Sequence, residues 1–128
     1  MARLWDKGKP LDQLIEAYTV GDDPTLDMRL VPFDVAGSKA HARMLHTCGV
    51  LDADELGRLL GGLDGILEAH QRGEFEIRRE DEDVHTAIER VLVGDLGDTG
   101  KKIHTGRSRN DQVLTDLRLW QRQAVADA

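Results

Sequence analysis

Apolar residues recur at helical spacing over most of the chain, beginning near Asp34. The first stripe consists of residues four positions apart and one flanking leucine: Ala36, Ala40, Met44, Leu45 and Cys48. This spacing predicts a helix with an apolar face. Gly49 follows at the position where a left-handed residue commonly ends a helix. The pattern is compatible with a helix start on either side of Pro32, because proline fits the first turn better than the interior.

A second helix is predicted after Asp52, which has the features of an N-cap with Glu55 three residues on, as in a capping box. Its stripe is formed by leucines: Leu56, Leu59, Leu60, Leu63 and Leu67. In the same segment Gly61, Gly62 and Gly65 each cost about 1 kcal/mol of helix stability relative to alanine. Packing of the leucine face must therefore stabilise this helix.

Two further helices complete the pattern. One is predicted near Asp83–Val93, with the buried face Val84, Ala87, Ile88 and Val91 and with Asp81, Glu82 and Asp83 at its positive N-terminal end. Gly94, Gly97 and Gly100 then predict a loop. The last helix starts near Ser108, with the stripe Val113, Leu117, Trp120 and Ala124. It has no stop signal, so we expect the native chain to continue and the stripe to promote self-association.

Residues 1–32 are less regular, and we expect an extended arm with a short helix at Pro10–Tyr18. No strand pattern is present, so the predicted fold is mainly α. We expect a small helical domain over residues 1–107, followed over residues 108–128 by the beginning of the first long helix of a central helical bundle.

Composition narrows the class of protein. The net charge of −7 and the 4% aromatic content argue against a general nucleic-acid binder. A lone cysteine, Cys48, favours a reducing compartment. No apolar run approaches the roughly 20 residues of a membrane span, and the N-terminus lacks the apolar core of a signal peptide. We therefore expect a soluble cytoplasmic protein.

One loop is basic although the chain as a whole carries a net negative charge. The stretch "KKIHTGRSRNDQV" places four cations between Lys101 and Arg109 beside a predicted helix start. Helix N-termini and arginine side chains both favour carboxylates and phosphates, so this segment predicts an anion site. The alternative is a solvated basic loop in which Ser108 is only an N-cap. A phosphate-binding P-loop is excluded because its glycine and lysine spacing is missing.

Two other segments carry candidate chemistry. In "DEDVHTAIER", His85 and Glu89 share one helical face; the alternative is a structural histidine. The histidines show no metal-binding spacing, so no metal is expected. In "DVAGSKAHARML", Ser38 is a candidate polar site residue, or it simply bonds back to its own helix.

Together these segments resemble the N-terminal part of the argininosuccinate lyase family, in the fumarase/aspartase superfamily. The resemblance rests on "DVAGSKAHARML", "DEDVHTAIER" and, most specifically, "GDTGKKIHTGRSRNDQVLTDLRLW". It covers residues 30–128 well and the first 30 loosely. It implies reversible cleavage of argininosuccinate to arginine and fumarate, without metal or organic cofactor. It also implies a homotetramer of helical subunits in which three subunits build each active site.

The same resemblance implies a substrate-binding set: Ser38, His85, Arg107, Ser108, Arg109 and Asn110. Developing negative charge on a substrate carboxylate would be stabilised by such donors. The family's catalytic histidine and mobile-loop serine have no counterpart here, so no catalytic residue is expected within these 128 residues, and the chain alone should be inactive. The family's common W-G-G-R-F start is replaced by "WDKGKP", and Ile88 stands where relatives often have asparagine.

Three alternative functions remain open at this point. One is another superfamily lyase, such as adenylosuccinate lyase or fumarase, although "HTGRSRND" argues against it. Another is a crystallin-like relative that keeps the fold without the chemistry. A third is a helical module that binds anions or RNA through Lys101, Lys102, Arg107 and Arg109.

Overall fold

The computed structural model describes Leu14 and residues 26–128. Apart from the helical Leu14, residues 1–25 of the expected arm, including the short helix predicted at Pro10–Tyr18, lie outside the described residues. The prediction of an extended conformation is wrong for residues 26–32, which are helical. Five α-helices follow in order: α1 (Val31–Thr47), α2 (Ala53–Gln71), α3 (Val84–Leu96), α4 (Asp98–Lys101) and α5 (Arg109–Asp127). Short 3-10 turns occur at Met28–Leu30, Arg79–Asp81 and Lys102–His104. No strand occurs in the described part of the chain, which confirms a mainly α fold.

The helix ends follow the local sequence signals. The Asp52 side chain accepts a hydrogen bond from the Glu55 N–H at 2.8 Å, and the Glu55 side chain accepts one from the Asp52 N–H at 3.2 Å, which confirms the capping box. Asp83 caps α3 by accepting from the Thr86 N–H. At the start of α1, Pro32 lies in the first turn, and at its end Gly49 adopts a φ of +82°. These ends depend on contacts within a few residues and are therefore readable from sequence.

The core lies where α2 packs against α1 and α3, and α5 lies against α1. In α2, Leu59, Leu63 and Ile66 are fully buried, while Leu56, Leu60 and Leu67 pack around them, as the leucine stripe predicts. In α3 the buried face contains Val84, Ala87, Ile88 and Leu92. No helix among the described residues is long and apolar enough to cross a membrane.

The predicted buried face of α1 is wrong. Ala36, Ala40, Met44 and Cys48 are all exposed, and of that stripe only the flanking Leu45 is buried. The inward side consists of Val31, Asp34, Val35, Ser38, Ala42 and Leu45. Hydrophobic periodicity missed it because two of its members are polar and find their partners far away in the sequence.

The predicted glycine loop is also partly wrong. Gly94 lies inside α3, and only Gly97, with a φ of +61°, breaks the chain direction. Gly100 lies in α4 and presses against α3: a Cβ there would stand 2.4 Å from the Leu92 carbonyl oxygen. This contact explains the glycine, because any side chain would separate α4 from α3.

Helix α5 begins at Arg109 after the predicted cap Ser108, and it buries a polar side. Gln112 and Asp116 are its buried residues, whereas the predicted apolar stripe is half-buried at Val113 and exposed at Leu117, Trp120 and Ala124. Leu114 and Val125 are exposed as well. The apolar side of this helix therefore faces solvent in the isolated chain.

Gly100→Ala should lower the stability of the chain. The new methyl group overlaps backbone atoms that cannot move independently, so we expect a loss of about 1–3 kcal/mol, measured by urea unfolding. Gly57→Ala is the matched control, since Gly57 lies in α2 with nothing within 4 Å of the Cβ position. That variant should be neutral or stabilised by up to about 1 kcal/mol. Equal stability of the Gly100→Ala and wild-type chains would contradict the close packing of α4.

The exposed side of α5 should make the chain self-associate. We expect sedimentation velocity to show concentration-dependent oligomers for the wild type and a monomer for a variant with Leu117→Gln and Trp120→Gln, because both side chains are more than a third exposed. Val50→Gln, which changes an exposed apolar residue outside α5, should behave as the wild type does. A monomeric wild type at high concentration would show that this side is not adhesive.

Candidate functional site

A cavity of about 250 Å³ opens between α1, α3 and the start of α5. Its polar lining includes seven side chains that carry hydroxyl, imidazole, guanidinium or amide groups: Ser38, His85, Thr86, His104, Arg107, Arg109 and Gln112. Three acids complete the polar side: Asp81, Glu82 and Glu89. Ile88, Leu92 and Ile103 supply an apolar wall. A pocket with convergent polar groups on an apolar background is typical of a small-molecule site.

Helix α1 brings two polar side chains to this region. Asp34 and Ser38 are one turn apart, so they lie on the same side of the helix, and both are buried. Gly37 lies between them where α5 passes: a Cβ at Gly37 would contact Thr115 Cγ2 at 3.5 Å. This is an ordinary van der Waals distance, so α1 and α5 lie close together at Gly37.

Arg107 is the central cation of the cavity. Its Nη1 donates a hydrogen bond to Ser38 Oγ at 3.0 Å. Burial lowers the pKa of the Arg107 guanidinium, although the carboxylates of Asp34, Asp116 and Asp111 oppose this effect, and an arginine remains charged at neutral pH. Within the described residues no carboxylate lies close enough to form an ion pair with it. Its positive charge is therefore available to an anionic ligand.

His85 is held by a buried carboxylate. Its Nδ1 lies 2.8 Å from Asp34 Oδ1 and 3.6 Å from Asp116 Oδ2. An ionised carboxylate can only accept, so Nδ1 carries the proton in the bond to Asp34. The imidazole thus has a defined orientation in the cavity wall, and Nε2 is left for another partner.

The two acids beside His85 have opposite protonation behaviour. Burial would raise the pKa of Asp34, but hydrogen bonds from His85 and Asp116 and the charges of His85 and Arg107 hold it below its usual value. Burial, the hydrogen bond to Asp34 and the negative charge of Asp34 raise the pKa of Asp116 to about 9. Opposite shifts of this kind are expected when two carboxyl groups occupy one dry site.

Asp34, His85 and Asp116 also form the group of described residues whose ligand atoms lie close enough together, within 4.8 Å, to hold a metal ion. Two features argue against a metal ion. The Nδ1 atom of His85 already donates its proton to Asp34, and Arg107 places another positive charge beside the acids. The three side chains are better described as a hydrogen-bonded polar cluster.

Arg109 lies at the other side of the opening. Its guanidinium is 3.4 Å from Asp83 Oδ2 and donates to Thr86 Oγ1 at 3.4 Å. Both partners belong to the start of α3, so the side chain is tethered loosely while still lining the cavity. The two lysines of the basic loop do not line it, since Lys102 pairs with Glu55 and Lys101 approaches Asp98.

Four of the six expected site residues therefore meet in one cavity: Ser38, His85, Arg107 and Arg109. The other two do not line it. Ser108 is exposed and caps α5, its Oγ accepting from the Asp111 N–H at 3.2 Å. Asn110 is exposed in the first turn of α5. Both lie at the helix N-terminus, where unpaired backbone N–H groups favour an anion.

Sequence reasoning missed three residues of the site. Asp34, Gln112 and Asp116 are buried, and Gln112 Nε2 donates to Asp34 Oδ1 at 3.4 Å. A signal was present: Asp34 stands one turn before Ser38, and Gln112 and Asp116 follow Ser108 at successive turns of one helix. Apolar periodicity does not detect this signal, because the buried residues that form it are polar.

The chain is similar to known lyases. A family model described as "Lyase" matches residues 6–128. Argininosuccinate lyase from Thermotoga neapolitana is 50% identical over 117 residues, which are 91% of this chain and 29% of the relative. Argininosuccinate lyase from Parabacteroides distasonis is 46% identical over 125 residues, or 98% and 28% of the two chains. Argininosuccinate lyase from Thioalkalivibrio sulfidiphilus is 48% identical over 125 residues, which are 96% of this chain and 26% of the relative.

The chain thus spans between a quarter and a third of the length of these curated relatives. The family match extends over the described site residues, from Asp34 on α1 to Asp116 on α5. On this evidence the chain belongs to the lyase family.

Proposed function

We propose that the chain is the N-terminal part of an argininosuccinate lyase, an enzyme that cleaves argininosuccinate reversibly to arginine and fumarate. The observation that carries the proposal is the Ser38–Arg107 pair, a buried hydroxyl joined to a guanidinium without a carboxylate partner in the cavity. Such a guanidinium matches the carboxylates of a succinyl substrate. The names of the relatives favour this reaction over those of adenylosuccinate lyase or fumarase.

The six site residues have distinct proposed roles. Arg107 and Arg109 bind substrate carboxylates from two sides of the cavity, with Ser38 orienting Arg107 and contacting the same carboxylate. His85, oriented by Asp34, offers its remaining nitrogen to the substrate. Ser108 and Asn110 contribute the start of α5, where backbone N–H groups and the helix dipole add positive potential.

The wider assembly is part of the same proposal. We infer a cytoplasmic homotetramer that acts in arginine biosynthesis, with a helical domain at residues 1–107 and a central bundle beginning at residue 108. The exposed apolar side of α5 supports an association with other helices. The acid and base of the elimination are proposed to lie in segments other than these 128 residues, so that this chain supplies binding groups.

The first test is dicarboxylate binding. We expect the purified chain to bind succinate, detected by amide chemical-shift changes around the cavity, and Arg107→Gln to weaken this binding by about 10-fold to 100-fold, because a hydrogen-bonded charge is lost. Arg118→Gln, which removes an exposed cation from α5, is the matched control and should bind as the wild type does. Equal weakening in both variants would indicate a general charge effect and not a site.

The second test is catalysis. We expect no fumarate release from the 128-residue chain, since it lacks the acid–base pair. A chimera in which the chain replaces the matching segment of the Thermotoga neapolitana lyase should cleave argininosuccinate, and Arg107→Gln in that chimera should lower kcat/KM by about 10-fold or more. A folded chimera without activity, or one unaffected by Arg107→Gln, would contradict the proposal.

A further inference from the structure

Within the described part of the chain, three buried carboxylate oxygens have no hydrogen-bond donor. They are Asp34 Oδ2 and both oxygens of Asp116, and the two side chains are completely buried. Buried oxygens without donors cost several kcal/mol if the groups are charged, so a donor is expected. The neighbouring side chains do not supply one: His85 donates to Asp34 Oδ1, as does Gln112.

We propose that Asp116 and Asp34 share one proton, carried by Asp116, and that this proton positions Arg107 by preventing Asp116 from capturing the guanidinium as an ion pair. Asp116 is then a positioning residue for the Ser38–Arg107 pair. The proton supplies the missing donor between the two carboxyl groups. The shared proton describes the protonation of Asp34 and Asp116 alone. Its effect on ligand binding rests on the proposed function, because it assumes that Arg107 binds a dicarboxylate.

The charges that face the cluster favour one proton. Asp34 projects from α1, His85 from α3, Asp116 from α5 and Arg107 from the segment before α5, while the charge of Asp27 also acts on Asp116. With both acids of the pair ionised, two buried anions would face one guanidinium. A single proton leaves one anion and one cation, which is the least costly balance in a dry site. The raised pKa of Asp116, about 9, agrees with this balance.

The position of Arg107 shows what the proton does. Arg107 Nη2 and Asp116 Oδ1 flank the same point, at 3.7 Å and 3.8 Å from where a Cβ of Gly37 would be. Both atoms therefore border the space beside Gly37, yet the guanidinium bonds to Ser38 and, in the described part of the chain, forms no ion pair with Asp116. An ionised carboxylate at that place would attract Arg107 strongly, whereas a neutral carboxyl group does not.

The direct test is carbon NMR of the wild-type chain. The Asp116 Cγ signal should titrate near pH 9, and the Arg107 Cζ signal should move with it. In Asp116→Asn, an uncharged mimic of the protonated acid, the Arg107 signal should stay at its neutral-pH position up to pH 10. Asp127→Asn removes an exposed acid from the far end of α5 and should leave the wild-type titration of both signals intact.

Two further measurements have definite signs. The pKa of Asp116 is higher in the folded chain than its ordinary value of 3.8, so the stabilisation it brings is complete below about pH 4 and is lost as the pH rises through about 9. The melting temperature should therefore fall more between pH 7 and 10 in the wild type than in Asp116→Asn. Succinate affinity should fall roughly tenfold between pH 8 and 10 in the wild type and in Asp127→Asn, but not in Asp116→Asn.

Several results would overturn the proposal. Titration of the Asp116 Cγ signal near pH 4 would exclude the shared proton. An Arg107 signal that ignores the titration of Asp116, or an Asp116→Asn chain that does not fold at pH 7, excludes the positioning role. Selective broadening of the cluster's signals by micromolar Mn²⁺ would assign the three oxygens to a cation instead. Failure of the wild type to bind succinate at pH 8 would count against the proposed function, while the carbon signals still decide the proton.

Discussion

The arrangement of the site depends on the hydrogen bonds of one completely buried carboxylate, Asp34. It belongs to α1 and accepts hydrogen bonds from His85 on α3 and Gln112 on α5, so it joins three helices at one point. A buried charge is tolerated only when donors surround it, and this requirement restricts the relative positions of the helices far more than apolar contact does. Ser38 lies one turn further along α1 and lines the cavity.

The local parts of this architecture could be predicted from sequence. The Asp52–Glu55 capping box, the Ser108 and Asp83 caps and Gly49 at the end of α1 each involve residues a few positions apart. The leucine face of α2 was also readable, since its buried members repeat with helical spacing and its partners are other apolar residues. In these segments propensity, capping and packing all favour the same structure.

The faces of α1 and α5 could not be predicted in the same way. Their inward sides include the polar residues Asp34, Gln112 and Asp116, and Asp34 bonds to His85 and Gln112, which lie 51 and 78 residues away in the chain. Hydropathy assigns such residues to solvent because the cost of burying them is offset only by contacts that a single segment does not contain. The resemblance to a known family identified Ser38, His85 and Arg107, but it gave no reason for their positions. The carboxylates that orient them became visible only in three dimensions.

Gly37 adds a consequence for how such a site can diverge. A methyl group at this position would make ordinary contacts, at 3.5 Å to 3.8 Å, with Thr115, Arg107 and Asp116. Alanine therefore fits, a serine would insert a hydroxyl between the cation and the acid, and a branched side chain would push them apart. Gly37 itself does not line the cavity. Residue 37 is thus a position from which natural variation can retune ligand preference while every residue that touches the ligand stays the same.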